Sequence, residues 1–208
     1  MSADKKKKSI AVLVSGGGTN LQALIDAQSS GILESGAITL VVSNNPKAYA
    51  LERAERAGIE HVVLTGKDFE SQLSVLLRSH GIDLIILAGF MRILSASFTS
   101  QWPDRILNVH PSLIPSFCGQ GFYGLRVHEA ALARGVKITG ATVHFVNEIP
   151  DGGRILLQKA VEVFPNDTPE TLQKRVMEQA EWKLLPKACE VVARELIRSR
   201  ARAAAKKD

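Results

Sequence analysis

The stretch Ser9-Ile10-Ala11-Val12-Leu13-Val14-Ser15-Gly16-Gly17-Gly18-Thr19-Asn20-Leu21-Gln22 decides the fold. Its apolar, β-branched first half reads as a buried strand over 9–14. Three consecutive glycines then release the chain into a helix that the pattern places at 20–27. A strand that turns through glycines straight into a helix is the opening unit of an α/β protein, in which parallel strands alternate with covering helices. The alternation continues downstream. Strands are predicted at 38–42, 61–64, 84–87, 106–109, 139–145 and 155–163, and helices at 50–57, 69–79 and 127–133. The fold class is thus read as α/β, one domain over 1–208 with a seven-stranded, mostly parallel twisted sheet flanked by helices. A last helix is predicted at 169–198, with Thr168 as its N-cap and Pro169 in its first turn. Its inward stripe is Leu172, Val176, Ala180, Leu184, Ala188, Val191 and Ile197. Pro186 is expected to kink or break it, because proline removes an internal hydrogen bond.

Composition narrows the class further. With 45% hydrophobic and 23% charged residues over 208 positions, the chain matches a globular domain long enough to bury a full core. Disordered, collagen-like and disulfide-scaffold classes are excluded. The longest uninterrupted apolar runs are as short as 84–88, against the roughly 20 residues a membrane helix needs, so no membrane association is expected. The charged start at 1–8 is not followed by an apolar stretch of the roughly 7–15 residues seen in signal peptides, which points to the cytoplasm. The net charge of +5 sits at the ends: residues 4–8 contribute +3 and 194–208 contribute +4, leaving the body at −2. A nucleic-acid groove needs positive charge spread over the folded body, so no nucleic-acid partner is expected. Residues 1–8 and about 199–208 are read as frayed basic tails. Cys118 and Cys189 are too few and too distant for a metal cluster or a disulfide framework and read as reduced thiols.

Four motifs carry chemistry. Glycines at 16–18 let the backbone turn its N–H groups inward, and the helix that follows adds the positive end of its dipole, so an anion such as a phosphate is favoured there. The loop has no Gly-Lys-Ser/Thr continuation and Leu21 replaces the third glycine of a dinucleotide fingerprint, which disfavours a nucleoside triphosphate. A tight turn with no ligand is the alternative. Gly119-Gln120-Gly121-Phe122-Tyr123-Gly124 satisfies GxGxxG in letters only. It follows a proline-punctuated loop rather than a strand, and reads as a mobile loop. Asn108-Val109-His110-Pro111-Ser112 ends a predicted strand, so Asn108 and His110 share one face at the carboxyl edge of the sheet, where open α/β sheets bind ligands. A carboxamide donor beside an imidazole suits stabilisation of a developing oxyanion, although a structural histidine is the commoner finding. His144 leaves a strand toward Asn147-Glu148-Ile149-Pro150-Asp151-Gly152-Gly153, which alone would read as a turn. Its Asp151 supplies a carboxylate able to raise a neighbouring histidine's pKa and keep it protonated near neutral pH. His128-Glu129 fails the HExxH spacing because residue 132 is leucine, and Ser112 and Ser116 lack a nucleophile elbow. No metal is expected.

Read together, residues 11–22, Leu87-Ala88-Gly89-Phe90-Met91-Arg92-Ile93-Leu94, Asn108-Val109-His110-Pro111-Ser112-Leu113-Ile114-Pro115, and Gly140-Ala141-Thr142-Val143-His144-Phe145-Val146 ahead of Asp151-Gly152-Gly153 resemble the folate-dependent phosphoribosylglycinamide formyltransferases. The resemblance runs from about 9 to 196. It implies a Rossmann-like formyltransferase fold and transfer of a formyl group from 10-formyltetrahydrofolate, as co-substrate, to the amine of glycinamide ribonucleotide in purine biosynthesis. It also implies site roles. Gly17, Gly18, Thr19 and Asn20 would hold the ribonucleotide phosphate, and Glu181 the glycinamide end, in a segment with one residue more than the family's spacing. Met91, Arg92, Ile93, Leu94, Asn108, His144, Asn147 and Lys67 would meet the folate. Asn108, His110 and Asp151 would form the catalytic trio, with His110 protonated. A cis peptide at Ile114-Pro115 is implied as well, whereas the loop 116–124 departs from the family's simpler pattern.

The same motifs serve a 10-formyltetrahydrofolate hydrolase and a methionyl-tRNA formyltransferase, but those carry an added N-terminal or C-terminal domain that 208 residues do not accommodate. A non-catalytic phosphate- or folate-binding module is the alternative from another class. The expected partners are therefore the two small-molecule substrates, with the chain a monomer or a homodimer.

Overall fold

A computed structural model describes residues 7–204. The chain clusters into two compact units, the first made of residues up to Met91 and from Pro186 onward, the second of Arg92–Leu185. The first holds β1 (Lys8–Val14), α1 (Thr19–Ser29), β2 (Gly36–Ser43), α2 (Ala50–Arg56), β3 (His61–Val63), α3 (Phe69–Ser79) and β4 (Leu84–Leu87). The second holds α4 (Ala96–Thr99), β5 (Ile106–His110), α5 (Leu125–Arg134), β6 (Ile138–Phe145), β7 (Ile155–Glu162), α6 (Pro169–Val176) and a π-helical turn, Met177–Glu181. A final helix, α7 (Trp182–Ala204), returns to the first unit. Within the units the strand order is β3-β2-β1-β4 in the first and β5-β6-β7 in the second.

Each unit follows from its residues. β1 and β4 are almost wholly buried runs of Ile, Val, Leu and Ala, as strands of a parallel sheet covered on both faces must be. β1 pairs in parallel with β2 and β4, and β2 with β3. In the second unit β5, β6 and β7 pair antiparallel, and β7 is largely exposed along its length. All seven strands lie where the sequence places them, within two residues at each end.

Four departures have physical causes. Lys8, read as part of a frayed tail, begins β1 and is buried, because its ammonium donates to Asp83 Oδ1 at 3.0 Å. At the other end α7 runs to Ala204, so the helix extends into the segment read as frayed from 199, while residues 1–6 and 205–208 lie outside the described residues. Helix α4 was not visible in the sequence: four residues show no period, and Ser95 Oγ caps it by accepting the Phe98 N–H. The helix predicted over 169–198 is continuous through Pro186. It is interrupted earlier, by the π turn.

That turn corrects the predicted stripe. Leu172, Val176, Ala180, Leu184, Ala188 and Val192 are all buried at a strict four-residue spacing. An ideal helix turns about 100° per residue, so such a stripe drifts about 40° at every step. One wider turn rewinds it. Val192 and Ala193 consequently lie in the core, and Val191 and Ile197 are only half-buried. The start of the segment is as expected: Thr168 caps α6 by accepting the Thr171 N–H, and Pro169 opens the first turn.

Arg175 ties this helix to the preceding loop. Its guanidinium grips Asp167 with two bonds, Nη1 to Oδ2 at 2.5 Å and Nη2 to Oδ1 at 2.6 Å, and lies 4.0 Å over the Phe164 ring. This bidentate grip is the main cause of the Asp167 pKa falling to about 2. A carboxyl whose folded pKa is depressed contributes stability above its ordinary pKa and loses it as the pH falls through the folded value. Asp167→Asn is expected to lower unfolding stability by on the order of 1–2 kcal/mol at pH 7, a discounted value because the pair is partly solvated. The deficit should vanish near pH 2, and chemical denaturation of both proteins at the two pH values measures it.

Candidate functional site

The polar cluster of the second unit is built by strand register. Asn108 on β5 stands directly opposite His144 on β6, and His110 opposite Thr142. Directly paired residues of antiparallel strands share a face, so the Asn108 amide nitrogen meets His144 Nε2 at 3.2 Å. His144 Nδ1 donates to the Phe145 carbonyl at 2.8 Å, which fixes the ring's orientation because a carbonyl can only accept. Thr142 Oγ1 donates to Ser112 O and accepts the Ile114 N–H, pinning the chain that follows β5, where the Ile114-Pro115 peptide is cis as the resemblance implied.

Asp151 closes the cluster from the loop after β6. It sits at φ +54, and Gly153 beside it packs so tightly on Phe145 that a Cβ there would run into the Phe145 carbonyl. Its Oδ1 accepts from the Asn108 amide at 3.4 Å and faces His144 Nε2 at 3.4 Å. Its Oδ2 accepts the Gly119 N–H at 2.9 Å and faces His110 Nδ1 at 3.5 Å. His110 Nε2 donates to Phe117 O at 2.8 Å. The structure therefore brings Asn108, His110, His144 and Asp151 together.

Electrostatics correct one expectation. Asp151 was expected to keep His110 protonated near neutral pH. The His110 pKa instead lies below its ordinary value, because burial of the ring outweighs the pull of Asp151 and of the Phe117 carbonyl. Only 5% of the His110 side chain is exposed, and the carboxylate stands at the far limit of a hydrogen bond. For Asp151, burial would raise the pKa, but the hydrogen bond with His144, the field of His110 and the Gly119 N–H outweigh it and hold the carboxyl below its usual range.

Sequence reasoning missed the part of the loop 116–124. Phe117 and Gly119 contribute through a carbonyl and an N–H, groups that every residue carries, so no side-chain signal marked them. Both have positive φ. The loop read as merely mobile thus supplies one bond each to His110 and Asp151. Cys118 between them donates weakly to Pro115 O at 3.3 Å, and its thiol pKa is raised by burial and by Asp151. His128 on α5 was set aside on zinc-motif spacing. It is fully buried, its ring nitrogens have no hydrogen-bond partner among the described residues, and burial together with His110 lowers its pKa to about 4.

The remaining second-unit residues are placed separately. Arg92 is half-buried, Ile93 is 69% exposed, and Leu94 is buried. Asn147 Oδ1 accepts the Ile149 N–H, and Asn147 lines a cavity of about 360 Å³ with Thr99, Phe145, Glu148 and Arg154. Glu181 is buried at the end of the π turn. In the first unit, Gly18 caps α1 at φ +72, a conformation that favours glycine, and a Cβ there would stand 2.6 Å from that of Ala50. Thr19 opens α1 and Asn20 is buried behind it. Ser15 Oγ donates to Asn44 Oδ1 and accepts the Met91 N–H at 2.8 Å, while the Met91 side chain is 54% exposed. Lys67 is exposed in the turn before α3. Among the described residues no group of three or more His, Cys, Asp or Glu could hold a metal ion, and no helix is long and apolar enough to cross a membrane.

A glycine turn into a helix in the first unit and, in the second, a carboxamide, two imidazoles and a carboxylate gathered by β5, β6 and the loop after β6 mark an α/β protein with groups suited to acid–base chemistry. The chain belongs to the formyl transferase family, whose model matches residues 8–189. It is 44% identical over 185 residues to phosphoribosylglycinamide formyltransferase of Haemophilus influenzae, covering 86% of this chain and 84% of that one. It is 46% identical over 198 residues to the trifunctional purine biosynthetic protein adenosine-3 of Homo sapiens, covering 92% of this chain and 19% of that protein. The chain thus spans about a fifth of the trifunctional relative. A solved structure, glycinamide ribonucleotide transformylase 1 from Symbiobacterium toebii, aligns with a TM-score of 0.85 at 39% identity over 93% of this chain and 90% of that one.

The two histidine environments yield a spectroscopic test. In an NMR pH titration His110 should titrate below 6.5, and lower still in Asp151→Asn, since the carboxylate is what pulls its pKa up. A midpoint above 6.5 in the unmodified protein would contradict the burial account.

Proposed function

We propose that this protein transfers the formyl group of 10-formyltetrahydrofolate to the amine of glycinamide ribonucleotide, a step of purine biosynthesis. The observation that carries the reading is the convergence of Asn108, His110 and Asp151 in a chain of the formyl transferase family. Gly17, Gly18, Thr19 and Asn20 are assigned to the ribonucleotide phosphate and Glu181 to its glycinamide end. Met91, Arg92, Ile93, Leu94, His144, Asn147 and Lys67 are assigned to the folate. The exposed apolar side chains of Met91 and Ile93 suit a flat heteroaromatic ring, which would remove them from water.

The folate supplies a formyl carbon open to attack. As the ribonucleotide amine bonds to that carbon, electrons move onto the formyl oxygen, and the N–H groups of Asn108 and His110 are the donors that meet the oxyanion. His110 enters neutral and becomes charged by taking the proton shed by the attacking nitrogen as the anion develops beside it. When the carbonyl re-forms and the bond to the folate nitrogen breaks, the proton shed by the attacking nitrogen is passed to that leaving nitrogen. Asp151, which faces His110 and accepts from Asn108, keeps both groups oriented and helps move the proton. No covalent enzyme intermediate and no metal enter this reading. The whole chain is taken as one cytoplasmic formyltransferase domain, monomeric or homodimeric, that needs neither nucleic acid nor membrane.

Deformylation of 10-formyltetrahydrofolate followed spectrophotometrically, with glycinamide ribonucleotide, with water alone and with formyl-acceptor tRNA, tests the assignment. Turnover is expected only with the ribonucleotide. Release of folate without it would mean a hydrolase, and silence in all three a binding module.

Asn108→Ala and His110→Ala should each lower kcat by at least about 10²–10³, the usual effect of losing one preorganised oxyanion donor, with substrate binding largely kept. Near-normal turnover in either variant would remove that residue from the mechanism.

A further inference from the structure

The glycine loop of the first unit is gripped from outside along three consecutive carbonyls. Ser15 O accepts from the Asn45 side-chain amide at 3.1 Å, Gly16 O from the Ala50 N–H at 3.0 Å, and Gly17 O from Arg53 Nε at 2.8 Å. All three donors come from one short segment, 45–53, that leads into and through the start of α2. In a trans peptide the C=O and N–H lie on opposite edges of one plane. The carbonyls of 15, 16 and 17 share their planes with the N–H groups of Gly16, Gly17 and Gly18. Holding those carbonyls toward the 45–53 segment therefore turns three successive N–H groups the other way.

The donors are themselves fixed. Asn45 Oδ1 accepts the Lys47 N–H at 3.0 Å, which leaves its amide nitrogen for Ser15. Arg53 also donates from Nη1 to Gln22 Oε1 at 2.9 Å, and its guanidinium lies 5.0 Å from the Tyr49 ring centre. A cation on the carbonyl of a peptide polarises that same peptide, so the Gly18 N–H becomes a stronger donor at the entrance of α1. The composition of the loop fits. Gly18 is required by its contact with Ala50, but a Cβ on Gly16 or Gly17 would meet nothing within 4 Å. Those two glycines answer no demand of the fold itself and suit close approach of a ligand to the backbone.

We infer that Arg53, seconded by Asn45, is a positioning residue for the ribonucleotide phosphate: it holds and polarises the glycine loop from behind without touching the anion. The inference rests on the reading of this loop as the phosphate site. Initial-rate kinetics on Arg53→Ala and Arg53→Lys, with each substrate varied in turn, test it alongside calorimetric binding of inorganic phosphate and thermal melting. The expected result for Arg53→Ala is a rise of about tenfold or more in KM for the ribonucleotide, of the order lost with one charged hydrogen bond. KM for the folate and kcat should change less than about twofold, and phosphate affinity should weaken in parallel. Arg53→Lys, which keeps the charge, should recover part of both. A folded Arg53→Ala protein with unchanged ribonucleotide KM and phosphate affinity would overturn the inference. So would a uniform loss in kcat and both KM values accompanied by a lower melting temperature, the mark of a merely structural role. If the unmodified protein binds phosphate yet does not formylate the ribonucleotide, the functional reading fails, and the phosphate affinities alone still decide the clamp.

Discussion

The polar cluster of the second unit is organised around one half-buried carboxylate, that of Asp151. Thirteen per cent of the Asp151 side chain is exposed, and an ionised carboxylate in such surroundings is tolerable only if its oxygens are met by donors. The Gly119 N–H and the Asn108 amide donate to them at 2.9 and 3.4 Å, and the two histidine rings face them at 3.4–3.5 Å. Each partner is thereby placed: the amide of Asn108 is turned, the loop 116–124 is tethered through its Gly119 N–H, and His110 is held between a carboxylate and the Phe117 carbonyl. The arrangement also explains why Asp151 occupies a backbone conformation that L-residues seldom adopt. A non-glycine residue at positive φ costs of order 1 kcal/mol and persists only where neighbouring contacts over-determine it, as the Gly153 packing against Phe145 does here.

Which of these features the sequence disclosed follows a physical divide. The strands were legible because buried parallel strands are written in runs of β-branched and apolar residues. Asn108 and His110 were legible as a pair because a two-residue spacing on a strand is itself a statement about a shared face. His144 facing Asn108 needed the register of β5 against β6, which no local pattern encodes. Phe117 and Gly119 act through backbone atoms and left no trace in residue type. The charge of His110 was misjudged for a related reason: the carboxylate that raises its pKa is a residue one can name, whereas the burial that lowers it further belongs to the folded surroundings. Lys8 shows the same divide, since only the fold brings Asp83 to its ammonium.

The π turn is an intermediate case. Its signal was present, as a stripe of core residues spaced by four where an α-helix averages 3.6. Widening a single turn keeps Ala180 on the core side and carries Leu184, Ala188 and Val192 into register behind it. The irregularity expected at Pro186 therefore falls a full turn earlier, and α7 passes through the proline unbroken.

The distribution of charge sets the terms for the glycine loop. The positive excess of the chain resides near its ends, in 4–8 and 194–208, and residues 9–193 between them carry −2. An anionic substrate is therefore not drawn in by net charge over the body, and what favours it must act at short range. Backbone N–H groups do this without a formal charge to desolvate: the helix α1 has no acidic residue in its first turn to offset its positive end. The one cation bonded to the loop, among the described hydrogen bonds, is placed on a carbonyl rather than on the anion's side. Such an arrangement transmits charge through a peptide plane rather than from a cation set on the loop's N–H side. That is also the condition under which Gly16 and Gly17 can present their N–H groups directly.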